Sequence, residues 1–207
     1  MSAAVSEREP SGLLVDFGGV LTTDIWSSFG AFCEAEQLDP GAVRDAFRGG
    51  GEGLKLLRAL EKGELDDADF EARFGALLGV EPADLIDRLF AGVGPDTAMI
   101  EAVVAVKGAG RPVGLISNSW GTGIYDRAPL EIFDATVISG DVGLHKPQPE
   151  IYQLGAERLG VAAAQCVFVD DLRENISGAE AVGMTGVLDR GSDETIGRLG
   201  ELFRLEL

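Results

Sequence analysis

The apolar segment Gly12-Leu13-Leu14-Val15-Asp16-Phe17-Gly18-Gly19-Val20-Leu21 runs directly into one carboxylate and two glycines. A continuous run of Leu and Val predicts a strand that is buried on both faces, as in a parallel sheet. Asp16 then lies at the carboxyl end of this strand, where open α/β sheets bind their ligands. Gly18 and Gly19 allow the backbone to turn sharply and to approach a bound group closely. The pattern is equally typical of a buried strand that ends in an ordinary Asp-Gly turn, so this segment alone leaves two interpretations of Asp16.

Four further apolar segments of strand length follow in the second half of the chain, and helical patterns separate them. They cover residues 113–116, 135–138, 166–169 and 185–188. Strands that alternate with helices predict right-handed crossovers and a parallel sheet with helices on both faces. The expected fold class is therefore α/β, with a Rossmann-like core.

Residues 23–94, between the first two predicted strands, read almost wholly as helices. Trp26, Phe29 and Phe32 recur at helical spacing, and Asp24 is a candidate N-cap for that helix. Amphipathic patterns predict further helices around 54–60 and 70–78. This block is far too long for a simple crossover. We therefore predict a core of residues 11–22 and 95–207 that carries an inserted helical cap, residues 23–94.

The 207-residue chain is acidic, with a formal net charge of −18 at neutral pH. Such a surface repels the phosphate backbone of nucleic acids, and no run of Lys or Arg offsets it. Nucleic-acid binding is therefore not expected. An acidic surface does not exclude a small anionic substrate that is held in a focused site.

Three other features narrow the possible classes of protein. His145 is the only histidine, which excludes a histidine-built metal site and a Ser-His-Asp triad. Cys33 and Cys166 match no disulfide or zinc pattern and are expected to be core residues. Residues 1–10 lack the features of a signal peptide, and no apolar run approaches the length of a membrane span. We therefore expect a cytoplasmic protein that does not associate with membranes. Nothing in the sequence indicates an oligomeric state.

Polar side chains follow three of the predicted strands. Asp16 follows the first strand, Ser117 the second, and the pair Asp170 and Asp171 the fourth. Because the carboxyl ends of parallel strands meet at one edge of the sheet, these side chains can converge. Lys146 is a further candidate, since Pro147 fixes the backbone beside it and the loop could direct its ammonium group inward.

Each of these residues also has a purely structural interpretation. Asp171 and Glu174 fit a capping-box-like start to the helix that runs to Ala181. Ser117 could be a turn residue at the end of a strand, and Lys146 a solvated loop charge. The combination is less easily explained in this way, because an Asp, a Ser, a Lys and an Asp pair together suit phosphoryl transfer.

In this respect the sequence resembles the haloacid dehalogenase superfamily, whose four motifs occur in order. Motif one resembles Asp16-Phe17-Gly18-Gly19-Val20-Leu21, motif two contains Ser117, motif three contains Lys146, and motif four contains Asp170-Asp171 with Asn175. The resemblance covers the chain from Leu13 to about Leu188. The spacing is similar to that of the phosphatase-like members whose helical cap lies between motifs one and two.

The resemblance implies a Mg²⁺-dependent phosphatase of small phosphorylated metabolites. Asp16 would attack phosphorus and form an aspartyl-phosphate. Asp16, the backbone carbonyl of Gly18 and Asp171 would bind Mg²⁺, with Asp170 acting through water. Ser117 and Asn118 would bind the phosphate, Lys146 would neutralise charge on the nucleophile and the phosphoryl group, and Asn175 would support the metal site.

One position departs from the usual phosphatase pattern. Many family phosphatases carry a general acid two residues after the nucleophile, and here that residue is Gly18. The substrate could have a leaving group that needs little protonation, or Thr22, Asp24 or His145 could replace the acid. Alternatively, the chain could be a non-catalytic binding or regulatory protein. A 2-haloacid dehalogenase is a further alternative, although Gly18 does not match the Asp-x-Tyr motif of those enzymes.

The specificity of the proposed enzyme is expected to lie in the cap. The cap carries four basic residues that could reach an anionic substrate or could simply form solvated helix faces: Arg44, Arg48, Lys55 and Arg58. Trp120 could line the entrance to the site or pack against the cap.

Overall fold

The structure is a computed structural model that describes residues 9–120, 125 and 130–207. Five parallel strands form one sheet in the order β3-β2-β1-β4-β5. They are β1 (Gly12–Val15), β2 (Val113–Ser117), β3 (Ala135–Ile138), β4 (Cys166–Asp170) and β5 (Thr185–Leu188). All five strands agree with the segments predicted from the sequence to within one residue, and the predicted α/β Rossmann-like class is confirmed.

Ten α-helices accompany the sheet within the described residues. They are α1 (Ile25–Ala35), α2 (Ala42–Ala46), α3 (Glu52–Glu61), α4 (Asp67–Leu78), α5 (Leu85–Leu89), α6 (Thr97–Gly108), α7 (Ser139–Val142), α8 (Pro149–Leu159), α9 (Arg173–Ala181) and α10 (Ser192–Phe203). The sequence did not predict the short α7, which follows β3 directly and is too short to show a helical period. None of these helices has the length and apolar character needed to cross a membrane. No signal peptide is predicted in residues 1–10, and residues 1–8 of that segment lie outside the described part of the chain.

The central strand β1 explains why the sheet is covered on both faces. Successive side chains of a strand point to opposite faces, so Leu13 and Val15 pack with α6 and α10, whereas Leu14 packs with α8 and α9. All three side chains are fully buried. Full burial of each such side chain stabilises the fold by about 1.5–3 kcal/mol, which accounts for the continuous apolar run.

Helices α1–α5 form a separate hydrophobic cluster with an aromatic centre. Phe70 and Phe74 are fully buried, their ring centroids are 5.2 Å apart, and Phe74 stacks on Phe47 at 4.8 Å. Cys33 is buried in this cluster and Cys166 is buried beneath the sheet, as predicted for core residues. Trp120 packs against the cluster from the end of β2.

The chain passes between the sheet and the helical cluster through two adjacent linkers. Thr22 and Pro95 form an isolated antiparallel bridge. The Thr23 amide donates to the Gly94 carbonyl at 2.8 Å, and the Asp96 amide donates to the Leu21 carbonyl at 2.9 Å. The two points at which the chain crosses between the sheet and the helical cluster therefore lie side by side. The boundary at residues 23 and 94 remains a prediction.

Candidate active site

The carboxyl edge of the sheet brings together the side chains that the sequence places at strand ends. Asp16 follows β1, Ser117 ends β2 and Asp170 ends β4, and these three strands are neighbours in the sheet. All three side chains are buried. Asp16 therefore lies buried at this edge beside Ser117 and Asp170.

Lys146 lies between two of these carboxylates. Its Nζ is 2.7 Å from Asp16 Oδ1 and 2.7 Å from Asp170 Oδ2, and its side chain is only 1% exposed. Asn118 positions the lysine backbone, because its Oδ1 accepts from the Lys146 amide at 2.9 Å and its Nδ2 donates to the Lys146 carbonyl at 3.2 Å. Lys146 is therefore not a solvated loop charge. The side-chain amide of Asn118 is committed to the lysine loop.

Asp170 is held by several donors besides Lys146. Asn175 Nδ2 donates to both of its oxygens, at 2.9 and 3.1 Å, and the Leu172 amide donates to Oδ1 at 2.8 Å. The structure thus corrects the capping interpretation of Asp171. The residue before α9 is Leu172, which provides no side-chain cap, and Asp170 accepts from the backbone at this helix start. Strand β4 directs Asp170 inward, and the chain leaves the strand at Asp171. The Asp171 carboxylate can therefore face the site, where it lines the cavity.

Gly19 allows Asp171 to approach the loop after β1. This glycine has a φ of 78°, and a Cβ at this position would lie 2.9 Å from Asp171 Oδ2. Both the left-handed conformation and the close contact would make any larger residue costly at this position. Gly19, the second of the two glycines that follow Asp16, is therefore required because the Asp171 carboxylate lies so close to it.

The acidic groups at this edge form a candidate cation site. Oxygens of Asp16, Asp170 and Asp171 all lie within 4.8 Å of one another. Burial raises the pKa of Asp16 to about 8, and the Asp170 and Asp171 charges add to the increase while Lys146 opposes it. Burial and the Asp170 charge raise the pKa of Asp171 to about 6. The cluster thus holds more negative charge than its one lysine balances, and carboxylate oxygens are the donors that Mg²⁺ prefers. The residues fit the ion.

Opposing effects act on Lys146. Burial alone would lower the pKa of its ammonium group, but the adjacent Asp16 and Asp170 carboxylates outweigh burial and hold that pKa above its ordinary value. Lys146 is therefore a permanent cation beside Asp16 Oδ1. It can stabilise negative charge that develops on a group bound there.

Ser117 faces the same site. Its Oγ accepts a hydrogen bond from the Tyr125 hydroxyl at 2.9 Å and donates only over a long distance, 3.5 Å, to the Asn118 carbonyl, so a bound oxyanion could take over its proton. Burial raises the pKa of Tyr125, so this phenol remains a donor. The sequence did not indicate Tyr125 as a site residue, because its contact with Ser117 depends on the path of the chain after β2.

A cavity of about 280 Å³ lies between the sheet edge and the helical cluster. Asp16, Gly18, Ser117, Lys146 and Asp171 line its floor. Trp120 lines the cavity and also packs against Phe29 and Phe47, so both of its predicted roles are met.

The four basic residues considered for substrate binding lie elsewhere. Arg44, Arg48, Lys55 and Arg58 are exposed and do not belong to the described lining of the cavity. Arg48 is 3.9 Å from Asp45, and Lys55 is 3.9 Å from Glu52. Arg48 and Lys55 lie on solvated helix faces, whereas the Arg44 guanidinium lies 5.4 Å from the centre of the Trp26 ring, which lines the cavity.

The space beside Gly18 is occupied by a hydrocarbon group. A Cβ at Gly18 would lie 2.6 Å from Ile25 Cδ1, which comes from the first turn of α1. An acidic side chain at this position would therefore displace Ile25. The space that a general acid at residue 18 would occupy is therefore filled by the Ile25 side chain.

None of the three proposed replacements for the acid is suited to the role. Thr22 Oγ1 already accepts from the Gly19 amide and donates to the Thr23 carbonyl. Asp24 caps α1, and its hydrogen bond from the Ser27 hydroxyl helps to lower its pKa, so the group is ionised. His145 is not part of the described cavity lining.

Glu61 is a further carboxyl group at this cavity, and the sequence patterns did not indicate it as a site residue. This residue ends α3, is partly buried and lines the cavity together with Asp16 and Lys146. Burial raises the pKa of its carboxyl group to about 7, although the Lys146 charge opposes the increase. The Ser139 hydroxyl donates to its backbone carbonyl and thereby fixes the end of α3 against α7. Glu61 is thus a carboxyl group that can exchange a proton near neutral pH.

The fold and this edge define a class of protein: an enzyme with a parallel α/β sheet whose carboxyl edge carries a buried Asp-Lys-Asp array beside an acidic cluster suited to a cation. A family model described as haloacid dehalogenase-like hydrolase matches residues 11–183. The chain therefore belongs to the haloacid dehalogenase-like hydrolases, as its four ordered motifs predict.

Individual relatives agree with this assignment. The chain is 27% identical to the sesquiterpene phosphatase astK of Aspergillus oryzae, over 84% of this chain and 87% of that protein. It is 31% identical to the fructose-1-phosphate phosphatase YqaB of Escherichia coli, over 52% of each chain. The chain spans 18–52% of several other curated relatives.

Solved structures share the fold. A HAD-like hydrolase from Porphyromonas gingivalis superposes with a TM-score of 0.77 at 18% identity, over 96% of this chain and all of that one. An enzyme from Bacteroides thetaiotaomicron, solved with magnesium and inorganic phosphate, superposes with a TM-score of 0.65 at 20% identity, over 87% and 94% of the two chains.

Proposed function

We propose that this protein is a Mg²⁺-dependent phosphatase of small phosphorylated compounds, and that residues 23–94 act as its cap. The observation that carries the proposal is the buried array in which Lys146 bridges Asp16 and Asp170 beneath a cavity of substrate size. The phosphatase relatives and the magnesium- and phosphate-bound neighbour support it. These relatives act on dissimilar alcohols, so they leave the chemistry of the leaving group open.

Asp16, Asp171 and the Gly18 carbonyl would hold Mg²⁺, and Asp170 would contribute through water. The bound ion would screen repulsion between the nucleophile and an anionic phosphate and would orient the phosphoryl oxygens. Asp170 suits an indirect role, because Lys146, Asn175 and the Leu172 amide already occupy its oxygens.

In the first chemical step, Asp16 attacks phosphorus. A bond forms between the carboxylate oxygen and phosphorus, the bond from phosphorus to the ester oxygen breaks, and the electron pair of that bond stays on the departing oxygen. Glu61 donates its proton to this oxygen, so the leaving group departs as a neutral alcohol. Ser117 and Lys146 stabilise the charge on the transferring phosphoryl group.

In the second step, water attacks the aspartyl-phosphate. Glu61 is now ionised and accepts a proton from that water, which returns the acid to its starting state. The bond between Asp16 and phosphorus breaks, and inorganic phosphate and the free carboxylate result. One carboxyl group on the cap thus serves both half-reactions.

The proposal is tested by phosphate release from alkyl phosphates in the presence of Mg²⁺. Wild-type protein should release phosphate, EDTA should stop the reaction, and Asp16→Asn should abolish it. Asp39→Asn provides a matched control, because Asp39 is exposed and lies outside the cavity lining. Turnover that survives Asp16→Asn would overturn the assignment of the nucleophile.

A second candidate, a binding or regulatory protein, is favoured by the Ile25 side chain beside Gly18. This candidate predicts phosphate binding by the wild-type protein without turnover of any ester. Turnover of an unactivated ester would exclude it. A 2-haloacid dehalogenase would not require a divalent cation, so nothing in the acidic cluster favours that activity.

A further inference from the structure

The cavity wall opposite the phosphate site is built from aromatic rings. Trp120 lies 5.6 Å from Phe29, 5.4 Å from Phe47 and 5.4 Å from Phe90, measured between ring centroids. All four rings line the cavity, and Leu57 joins them from α3. A wall of this kind stabilises hydrocarbon by removing it from water. The part of a substrate that extends away from the phosphate therefore meets an apolar surface.

The charges around this wall disfavour a second anionic group. Lys146 is the one cation in the described lining, and it is already engaged by Asp16 and Asp170. Asp24 and Asp87 are exposed carboxylates at the mouth of the same cavity. A substrate with a carboxylate or a second phosphate would face like charges there, and the nearby Arg44, which lies 5.4 Å from the centre of the Trp26 ring, already acts on Asp24.

Apart from the Glu61, Asp24 and Asp87 carboxylates, the cavity offers few free side-chain partners for hydroxyl groups. Asn118 is engaged with the Lys146 backbone, Asn175 with Asp170, and Thr22 with the loop after β1. A sugar placed against the aromatic wall would lose its hydrogen bonds to water without replacing them, and each unsatisfied polar group costs about 1–3 kcal/mol. A polyhydroxylated leaving group is therefore poorly matched to this site.

We propose that the physiological substrate is the phosphate monoester of an uncharged, predominantly hydrocarbon alcohol. This inference rests on the proposed phosphatase function and specifies the leaving group. The phosphate occupies the floor beside Asp16, and the hydrocarbon extends along Phe29, Phe47, Phe90 and Trp120. The cavity volume of about 280 Å³ is at the lower end of the range for small-molecule sites. The alcohol is therefore a compact one.

The Ile25 contact at Gly18 fits the same substrate. Ile25 Cδ1 fills the space of a side chain at residue 18, so an apolar surface begins immediately beside the nucleophile. The carbon chain next to the ester oxygen meets hydrocarbon at this point, and Glu61 approaches from the cap.

The test is a series of unbranched alkyl phosphates from ethyl to octyl, with kcat/KM measured in Mg²⁺. These esters have leaving groups of nearly equal reactivity and differ chiefly in apolar surface. Burial of each methylene group should raise kcat/KM about fourfold, which corresponds to ~0.8 kcal/mol, until the cavity is full. A value of kcat/KM that does not change with chain length would overturn the inference.

A matched pair of substrates tests the exclusion of charge. Ethyl phosphate and phosphoglycolate have similar length, but phosphoglycolate carries a carboxylate. We expect kcat/KM to be at least about tenfold lower for phosphoglycolate, which corresponds to ~1.4 kcal/mol of repulsion and lost solvation. Equal or faster turnover of phosphoglycolate, or of fructose 1-phosphate relative to hexyl phosphate, would overturn the inference.

The Trp26→Ala variant tests whether the dependence of kcat/KM on alkyl chain length comes from contact with the cavity wall. Trp26 is 36% exposed, lines the mouth of the cavity and stacks edge-on against Phe29 at 5.6 Å, so its truncation should be tolerated by the fold. Trp26→Ala should reduce the gain in kcat/KM between hexyl and octyl phosphate. Leu77→Ala is the control, because Leu77 is an exposed hydrophobic residue (46%) of the same helical block and lies outside the lining. An unchanged dependence in Trp26→Ala would contradict contact with this wall.

The outcomes separate the two proposals. If no ester is hydrolysed faster than by Asp16→Asn, the phosphatase function itself fails. If phosphate is released in an Asp16-dependent reaction but sugar phosphates are preferred, the phosphatase function stands and the assignment of a hydrocarbon leaving group is wrong.

Discussion

Replacement of Glu61 by Gln removes the proposed proton donor while preserving the shape of the side chain. Burial raises the pKa of this carboxyl group from 4.5 to about 7, so half of the molecules carry the proton at neutral pH. At the ordinary pKa the protonated fraction at pH 7 would be about 160-fold smaller, since each pKa unit is a factor of ten in the ratio of the two forms. General acid catalysis contributes about 10²–10⁴-fold, and we expect Glu61→Gln to lower kcat/KM for butyl phosphate by this amount.

The leaving group provides the decisive comparison. Butoxide needs a proton in order to depart, whereas 4-nitrophenolate is a stable anion that leaves without one. Because kcat/KM reports the steps up to the first irreversible one, it isolates the transfer to Asp16 from the later attack of water. Glu61→Gln should therefore leave kcat/KM for 4-nitrophenyl phosphate within a fewfold of wild type. Glu64→Gln is the matched control, since Glu64 is an exposed glutamate three residues away.

The pH dependence gives an independent readout. Only protonated Glu61 can donate, so at Mg²⁺ concentrations that saturate the site and keep Asp16 and Asp171 ionised at every pH, kcat/KM of the wild-type protein for butyl phosphate should fall as the pH rises through about 7. This decline should disappear in Glu61→Gln. An equal loss of rate for both esters, or a decline with pH that persists in the variant, would refute the assignment of Glu61 as the acid.

Three further predictions concern the acidic centre. Lys146→Met should lower the free energy of unfolding in EDTA by about 3–5 kcal/mol, because it leaves buried carboxylates unpaired; chemical denaturation measures this, and an unchanged midpoint would contradict it. Mg²⁺ affinity measured by calorimetry should rise between pH 5.5 and 8.5, since Asp16 and Asp171 have pKa values raised to about 8 and 6 and must lose their protons to bind; a constant affinity would argue against these ligands. Gly19→Ala should lower the free energy of unfolding by about 1–2 kcal/mol and also weaken Mg²⁺ binding, because its Cβ would lie 2.9 Å from Asp171 Oδ2. The control is Gly49→Ala, which imposes the same left-handed strain with no atom within 4 Å of the new Cβ. Equal Mg²⁺ affinities in the two variants would exclude a role for the Asp171 contact.

The sheet and the floor of the site could be predicted because their signals are local. Each buried strand is a continuous apolar run, and the residue that ends it is fixed by the sequence. Asp16, Ser117 and Asp170 therefore follow from the strand pattern together with parallel topology. The distinction between Asp170 and Asp171 did not follow, because it depends on which carboxylate the last residue of β4 directs inward.

The upper part of the cavity could not be predicted in the same way. Glu61 enters the site because α3 docks on α7, where the Ser139 hydroxyl bonds to the Glu61 carbonyl 78 residues away. Sequence patterns identify the charged residues of a helix but not the face that turns toward a distant partner. The same limit explains why Arg44 and Arg58 could be considered for a site that they do not line.

The helical cluster is attached to the sheet by its two linkers and by the bond between Ser139 and Glu61, and this arrangement bears on the order of events in the reaction. Its linkers at Thr22 and Pro95 are adjacent and act as one pivot, whereas the Ser139 bond holds the far end of α3. Rotation about the pivot would break that bond and would carry Glu61 away from Asp16. A motion that let an alcohol depart would then also remove the proton carrier, so that chemistry and exchange with solvent would alternate. Water for the second half-reaction would have to enter before Glu61 returned, and the lifetime of such an open state would influence how long the phosphorylated enzyme persists.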